Sequence, residues 1–268
     1  MSSKRPKPLV VIPTYLTKPE DVDATHDAVA SVRKTAGESV DIMLIDDGSP
    51  ERSLVAELEK RIAQLQSEVH QKSKNSGFSK TVNVGLRKAL QEGRDAILMN
   101  ADVEILTPGW YRHFKTTQDQ QYRQAAVVGA LLLYPSGLIQ HGGIYFSLLT
   151  RTFDHLYKYG PMNLPEALKK SVCPVTGALQ YIRHSTLETI GIYDERFFMG
   201  WEDVDYCLRV FAHGQQCIYN PNVRAFHFEY MFRGRPSKKI EDWQNKSFMY
   251  LCEKWKDHSF HDLVPTIW

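Results

Sequence analysis

The strongest constraint on this chain is an alternation within its first hundred residues, where short β-branched runs are separated by helically spaced apolar residues. Pro8 to Ile12 (PLVVI), Val40 to Ile45 (VDIMLI) and Asp95 to Met99 (DAILM) read as buried strands. Leu54, Leu58, Ile62, Leu65 and Val69 recur at helical spacing, as do Phe78, Val82, Leu86 and Leu90. Such alternation predicts an α/β fold with a parallel sheet and crossover helices. Right-handed crossovers then align the strand C-terminal ends along one edge, where ligands bind.

The residues with chemical potential fall at those ends. Ile12-Pro13-Thr14-Tyr15 closes the first strand, Asp46-Asp47-Gly48-Ser49 the second, and Asn100-Ala101-Asp102 the one that starts at Asp95. Beyond Asn100 the pattern is less regular. Gly137 to Phe146 suggests a turn and strand, Thr150 to Val172 a long loop, and the part from about Arg233 is basic and aromatic with weak periodicity.

Several classes lose support. Lys and Arg number 33 against 31 Asp and Glu, a net charge of +2, so bulk electrostatics do not mark a polyanion-binding protein. Cys173, Cys207, Cys217 and Cys252 form no C-x-x-C pair, which argues against a zinc ribbon or a dense disulfide framework and for a reducing, cytoplasmic setting. The longest apolar run, Ala125 to Tyr134, is too short to span a bilayer, and the N-terminus enters its first strand before a signal-peptide apolar region could form. A soluble chain is expected.

No G-x-G-x-x-G follows the first strand and no G-x-x-x-x-G-K-[ST] occurs, so a divalent cation is the natural substitute for glycine amides in handling phosphate. Mg²⁺ and Mn²⁺ take hard oxygen ligands, and Asp102 is a carboxylate at a strand end. Asp47 is suited to accept from an imide N–H of uracil or thymine. On spacing alone, Asp46 to Ser49 reads equally as a turn and Asn100 to Asp102 as a strand cap.

The segment Val175 to Gly214 sets Asp194, Glu195, Glu202, Asp203 and Asp205 among Tyr193, Phe197, Phe198 and Trp201, a setting that can tune a base. A helix beginning near Glu202 would pair Asp205 with Arg209 and place Glu202 and Asp203 at its positive end. His227 alone reads as structural. The run Arg233, Arg235, Lys238 and Lys239 reads as a solvated surface, or as a grip on a diphosphate or anionic acceptor.

Taken in order, VVIPTY, LIDDGSP, KNSGFSKTVNVGLRKA, LMNADVEI, the Val175 to Gly214 segment around GWEDVDYCLR, and RAFHF resemble the family 2 glycosyltransferases of bacterial and phage type, over roughly Leu9 to His227. The resemblance implies the GT-A fold: a Rossmann-like nucleotide-binding half (about 8–104) with a mainly parallel central sheet, an acceptor and catalytic half (about 105–232), and a C-terminal extension (233–268). It implies a nucleotide pocket formed by Pro13, Thr14, Tyr15, Asp46 and Asp47, bordered by Asn75, Gly77 and Lys80 and completed by Asn100, Ala101 and Asp102.

Asp102 matches the last Asp of the family's D-x-D metal motif, and Asn100 replaces the first, which leaves one carboxylate fewer. His227 matches a late histidine that completes the shell of Mn²⁺ or Mg²⁺. Asp203 matches the general base of inverting members, and Glu202 a residue that contacts acceptor or orients that base. His141 and His155 lie in a stretch similar to an insertion with paired histidines. Together with Gly177, Trp201 and Arg233 they are expected to shape donor or acceptor, a structural role for the pair being the alternative.

The implied reaction moves a hexosyl group from a UDP- or dTDP-sugar to a hydroxyl on a glycan or lipid-linked saccharide. A hydroxymethylated base of phage DNA or a protein side chain is the alternative acceptor. A nucleotidyltransferase and a non-catalytic nucleotide-sugar-binding module are the rival classes.

Overall fold

The computed structural model describes residues 6–229 and 237–267. The alternation unfolds as expected: β1 (Leu9–Thr14), α1 (Pro19–Ala36), β2 (Asp41–Asp46), α2 (Arg52–Ala63), β3 (Val69–Gln71), α3 (Phe78–Gln91) and β4 (Ala96–Met99). These strands run parallel in the order β3-β2-β1-β4. Their apolar runs are continuous because alternate residues serve two helical layers. Val10, Ile12, Leu44, Ile97 and Met99 pack with α1 and α2, while Leu9, Val11, Met43, Ile45 and Leu98 pack with α3. Each such side chain contributes about 1.5–3 kcal/mol on burial, so a polar residue on either face would be costly.

One expectation needs correction here. The helical spacing from Leu54 to Val69 does not continue to its end: α2 stops at Ala63, Gln66 turns with φ +52, and Val69 opens β3 opposite Leu44. Leu65 and Val69 keep apolar character because both pack against the core from non-helical positions. The helical runs read from the sequence begin only after the second strand, and α1 supplies the crossover that the parallel β1–β2 pair needs. Its inward face includes Asp21, Thr25 and Ala28 beside Val22, Val29 and Val32, which dilutes the apolar signal.

The second half continues with β5 (Val103–Ile105), α4 (Trp110–Thr116), β6 (Ala125–Leu133), β7 (Ile139–His141), β8 (Ile144–Ser147), β9 (Thr152–His155), β10 (Ser171–Val172), β11 (Leu179–Ile182), α5 (His184–Ile190), α6 (Glu202–Ala212), β12 (Gln216–His227), α7 (Lys238–Lys254), α8 (Phe260–Leu263) and β13 (Thr266–Ile267). The sheet extends past β4 through β11, β6, β12 and β10, with β11 antiparallel to both neighbours. β13, β8 and β9 form a separate three-stranded sheet. Thr150 to Val172 is therefore not one long loop, since it contains β9, zipped to β8 with Phe153 opposite Phe146, and the short β10.

The basic, aromatic C-terminal stretch forms α7, whose Leu251, together with Trp255 just beyond it, packs against Phe197, Val204 and Leu208. No described helix is long and apolar enough to cross a membrane.

Candidate active site

A cleft of about 880 Å³ opens beyond the C-terminal ends of β1 and β4. One wall owes its geometry to strand register. After β4 the chain turns through Asn100, Ala101 and Asp102 into β5, which pairs antiparallel with the end of β12, His227 opposite Val103. β12 shifts register on β6 between Asn220 and Arg224, and beyond that break its end pairs with β6 on one edge and β5 on the other. The Phe228 N–H then donates to the Asp102 carbonyl at 2.9 Å. Residues far apart in sequence thus meet, with His227 Nε2 3.3 Å from Asp102 Oδ1.

Hydrogen bonds fix the histidine's tautomer. The Gln140 side-chain amide donates to Glu229 Oε2 at 3.2 Å, so its oxygen faces His227 Nδ1 at 2.7 Å and Nδ1 must carry the proton. In the neutral ring Nε2 is then the lone pair, beside the Asp102 carboxylate and approached by Asn100 Nδ2 at 3.3 Å. An imidazole held from behind, with its open nitrogen turned toward a carboxylate, is the arrangement of a metal ligand supported by an outer residue. The Asn100 side-chain oxygen is buried without a hydrogen-bond partner among the described residues, a further oxygen to be satisfied at the same spot.

Among the described residues no group of three His, Cys, Asp or Glu converges. Two protein ligands suit a cation of the Mg²⁺ or Mn²⁺ type that draws its remaining oxygens from phosphate and water.

The opposite end of the cleft is built around Asp47. Asp47 Oδ1 accepts from Lys72 Nζ at 2.6 Å and from the Ser76 N–H at 3.0 Å, and Oδ2 accepts from the Gly77 N–H at 3.0 Å. Gly77 takes φ +93 and lies so close to Phe198 that a Cβ would sit 2.6 Å from the Phe198 carbonyl oxygen. These contacts leave Asp47 Oδ2 with a lone pair for an imide N–H.

Asp203 stands in the first turn of α6. Its Oδ2 accepts from the Gly177 N–H at 2.9 Å and its Oδ1 from the Val204 N–H at 2.8 Å, which fixes its orientation and leaves one lone pair on each oxygen. Gly177 permits this approach, because a Cβ there would lie 3.4 Å from Asp203 Cβ and 3.0 Å from the Tyr193 hydroxyl. Trp201, which precedes the helix, takes φ +70, a conformation unusual for a bulky residue and one that concentrates at functional sites.

Two neighbouring acids are scaffolding. Asp205 is fully buried and accepts from Arg209 Nε at 3.1 Å and Trp255 Nε1 at 3.0 Å, with Lys254 Nζ at 2.7 Å. Asp194 is opposed by burial, yet hydrogen bonds from Arg196 and Lys254 outweigh it and hold the carboxyl well below its ordinary range.

The comparisons with known proteins agree with this architecture. Residues 9–138 match the family model for glycosyl transferase family 2. An uncharacterized protein of Sinorhizobium fredii is 27% identical over 186 residues, covering 65% of this chain and 20% of its own length. The N-acetylglucosaminyl-diphospho-decaprenol L-rhamnosyltransferase of Mycobacterium tuberculosis is 26% identical over 160 residues, covering 55% of this chain and 51% of its own. The chain thus spans a fifth to a half of these relatives. GalNAc-T7, crystallised with UDP, GalNAc and Mn²⁺, superposes with a TM-score of 0.73 at 19% identity, over 96% of this chain and 49% of that one. The fold is GT-A.

Within this fold, most of the residues singled out by sequence share the cleft wall: Pro13, Thr14, Tyr15, Asp47, Asn75 and Gly77 near one end, Asn100, Ala101, Asp102 and His227 near the β4–β5 turn, and Gly177, Trp201, Glu202, Asp203 and His155 beyond. Three are placed elsewhere. Lys80 is exposed on α3 and does not reach the wall, and it is Lys72 that meets Asp47. Asp46 is fully buried and accepts from the Ser49 N–H at 3.2 Å, so it closes the turn while its neighbour faces the cleft. His141 is buried behind His155. Arg233 lies outside the described residues.

Sequence reasoning missed Lys72, Gln140 and Glu229. Gln140 adjoins His141, but only the pairing of β7 with β6 shows that it supports His227.

Proposed function

We propose that the chain is an inverting glycosyltransferase that moves a sugar from a UDP- or dTDP-sugar to a hydroxyl on a glycan or lipid-linked saccharide, with Mn²⁺ or Mg²⁺ held by Asp102 and His227. The observation that carries this reading is the presence of an oriented carboxylate, Asp203, and the Asp102–His227 pair on the walls of one cleft. The mycobacterial relative's name, a rhamnosyltransferase acting on a lipid diphosphate saccharide, supports the donor and acceptor classes. GalNAc-T7, solved with UDP and Mn²⁺, supports the nucleotide and the metal.

Asp47 accepts from the pyrimidine imide, with Pro13, Thr14, Tyr15, Asn75 and Gly77 around the nucleoside. A divalent cation, when bound, supplies Lewis-acid stabilisation of the charge on the departing nucleoside diphosphate. Asp203 takes the proton of the acceptor hydroxyl as its oxygen bonds to the anomeric carbon and the bond to the diphosphate breaks on the opposite face. Glu202, buried beside it at the start of α6, contacts the acceptor or orients the base.

The nucleotide-binding half is about 8–104 and the acceptor half about 105–232. The extension contributes Lys239, Trp243 and Gln244 of α7 to the cleft. A cytoplasmic setting accords with this donor chemistry.

The test is to incubate the protein with UDP-glucose, UDP-GlcNAc and dTDP-rhamnose, with Mn²⁺ or with EDTA, and to measure nucleoside diphosphate release. Release from one donor that EDTA abolishes is expected. Absence of both release and metal-dependent nucleotide binding would overturn the reading in favour of a binding module.

A further inference from the structure

Glycosyl transfer as derived above leaves one cluster in the cleft wall unused. His141 ends β7 and His155 ends β9, and their Nδ1 atoms approach to 2.6 Å with the rings nearly perpendicular. That spacing holds a single proton, since two lone pairs or two N–H groups would repel. The Thr176 N–H points at His141 Nε2, 3.5 Å away. A backbone amide only donates, so His141 Nε2 is bare and its proton sits on Nδ1. His155 Nδ1 therefore accepts, and His155 carries its own proton on Nε2. No described residue takes up that Nε2, and His155 lines the cleft while His141 is sealed behind it.

The position says what the N–H meets. On one side, Gln140, adjacent to His141, holds His227 at the metal end. On the other, Thr176 precedes Gly177, whose N–H orients Asp203. The charged groups around His155 are Asp203, Lys158, Asp154 and Glu229, and burial, the leading influence, keeps both rings less basic than a free histidine. Between a departing diphosphate and a base lies the transferred sugar.

We propose that His155 is a sugar-binding residue, whose Nε2–H donates a hydrogen bond to a hydroxyl of the transferred sugar, and that His141 is a positioning residue that fixes this tautomer through the Thr176 amide. A neutral donor grips the ring without opposing the positive charge that develops at the anomeric carbon, as an imidazolium would. The sugar contact rests on the glycosyltransferase reading, whereas the tautomer chain does not.

The experiment has two arms. Imidazole ¹⁵N spectra of ¹⁵N-histidine-labelled protein near pH 7 should show His141 as the Nδ1–H tautomer and His155 as the Nε2–H tautomer. In His141→Phe, His155 should lose its single tautomer. Calorimetry in Mn²⁺ with UDP, UDP-GlcNAc, dTDP and dTDP-rhamnose should show His155→Phe weakening the bound nucleotide sugar roughly tenfold, the scale of one hydrogen bond, with the parent diphosphate unchanged. His155→Gln, which keeps a donor, should recover most of that loss.

A His155 found with its proton on Nδ1, or doubly protonated, overturns the proposal. So does an equal loss for diphosphate and nucleotide sugar, which would move the contact to phosphate. If the wild-type protein binds none of the four probes, the glycosyltransferase reading and the sugar contact fail together, while the spectra still decide the tautomer chain.

Discussion

Replacing Asp205 with alanine removes a fully buried carboxylate on which Arg209 Nε, Trp255 Nε1 and Lys254 Nζ converge at 3.1, 3.0 and 2.7 Å. Breaking a buried ionic network by deleting one partner costs about 3–5 kcal/mol, because the charge left behind is uncompensated. Here the orphans retain some support. Arg209 still donates to the carbonyls of Ile190 and Ile192 at 2.9 Å, and Lys254 still reaches Asp194 at 2.9 Å. The low end of that range, about 3 kcal/mol, is therefore expected.

At about 2–4 °C per kcal/mol for a domain of this size, Tm should fall by roughly 6–12 °C in a calorimetric scan. Nucleotide affinity should hold, since Asp205 is absent from the cleft wall. The double variant with Lys254→Met should destabilise by less than the sum of the singles. A Tm within about 3 °C of wild type would refute the claim that this carboxylate clasps α6 to the C-terminal helix.

Gly77→Ala should cost about 1–3 kcal/mol from the positive φ alone, with more from the 2.6 Å approach to the Phe198 carbonyl, and should weaken UDP binding because the Gly77 N–H holds Asp47. An unchanged melt would contradict it. The histidine pair sets a pH dependence: both folded-state pKa values lie below the ordinary value, so below about pH 6.5 the unfolded chain takes up protons that the fold does not. Stability is full above that pH and is lost as pH falls, by up to about 1.4 kcal/mol per pH unit for each ring, until the folded pKa values are reached. Denaturant melts at pH 7.5 and 5.5 should show the loss, and His141→Phe with His155→Phe should flatten it.

Much of the fold was legible because it is written locally. Each buried strand of the first half ends on a turn residue, and α3 shows its face at helical spacing. β3 was not legible, since Val69 continues the helical period of α2 and only pairing with Leu44 makes it a strand. The cleft residues at strand ends were legible for the same local reason.

What joins them was not. His227 meets Asp102 beyond a register break in β12 that no local pattern announces, and Gln140 reaches His227 across β7 and β6. Lys80 and Lys72 are alike in sequence, and only the path of the loop before α3 turns Lys72 toward Asp47. In the Glu202–Asp205 run, three carboxylates read alike until the burial of Asp205 and the opening of Asp203 onto the cleft separate them.

The most direct measurement is a comparison of Asp203→Asn and Asp102→Ala with the wild-type protein, for transfer rate and for nucleotide affinity with and without Mn²⁺. Asp203→Asn should lose turnover by a hundredfold or more, on the order of a missing general base, while it binds the nucleotide as wild type does. Asp102→Ala should lose the part of the affinity that depends on Mn²⁺. Near-normal turnover in Asp203→Asn, or Mn²⁺-dependent binding that survives Asp102→Ala, would contradict the assignment of the two sides of the cleft.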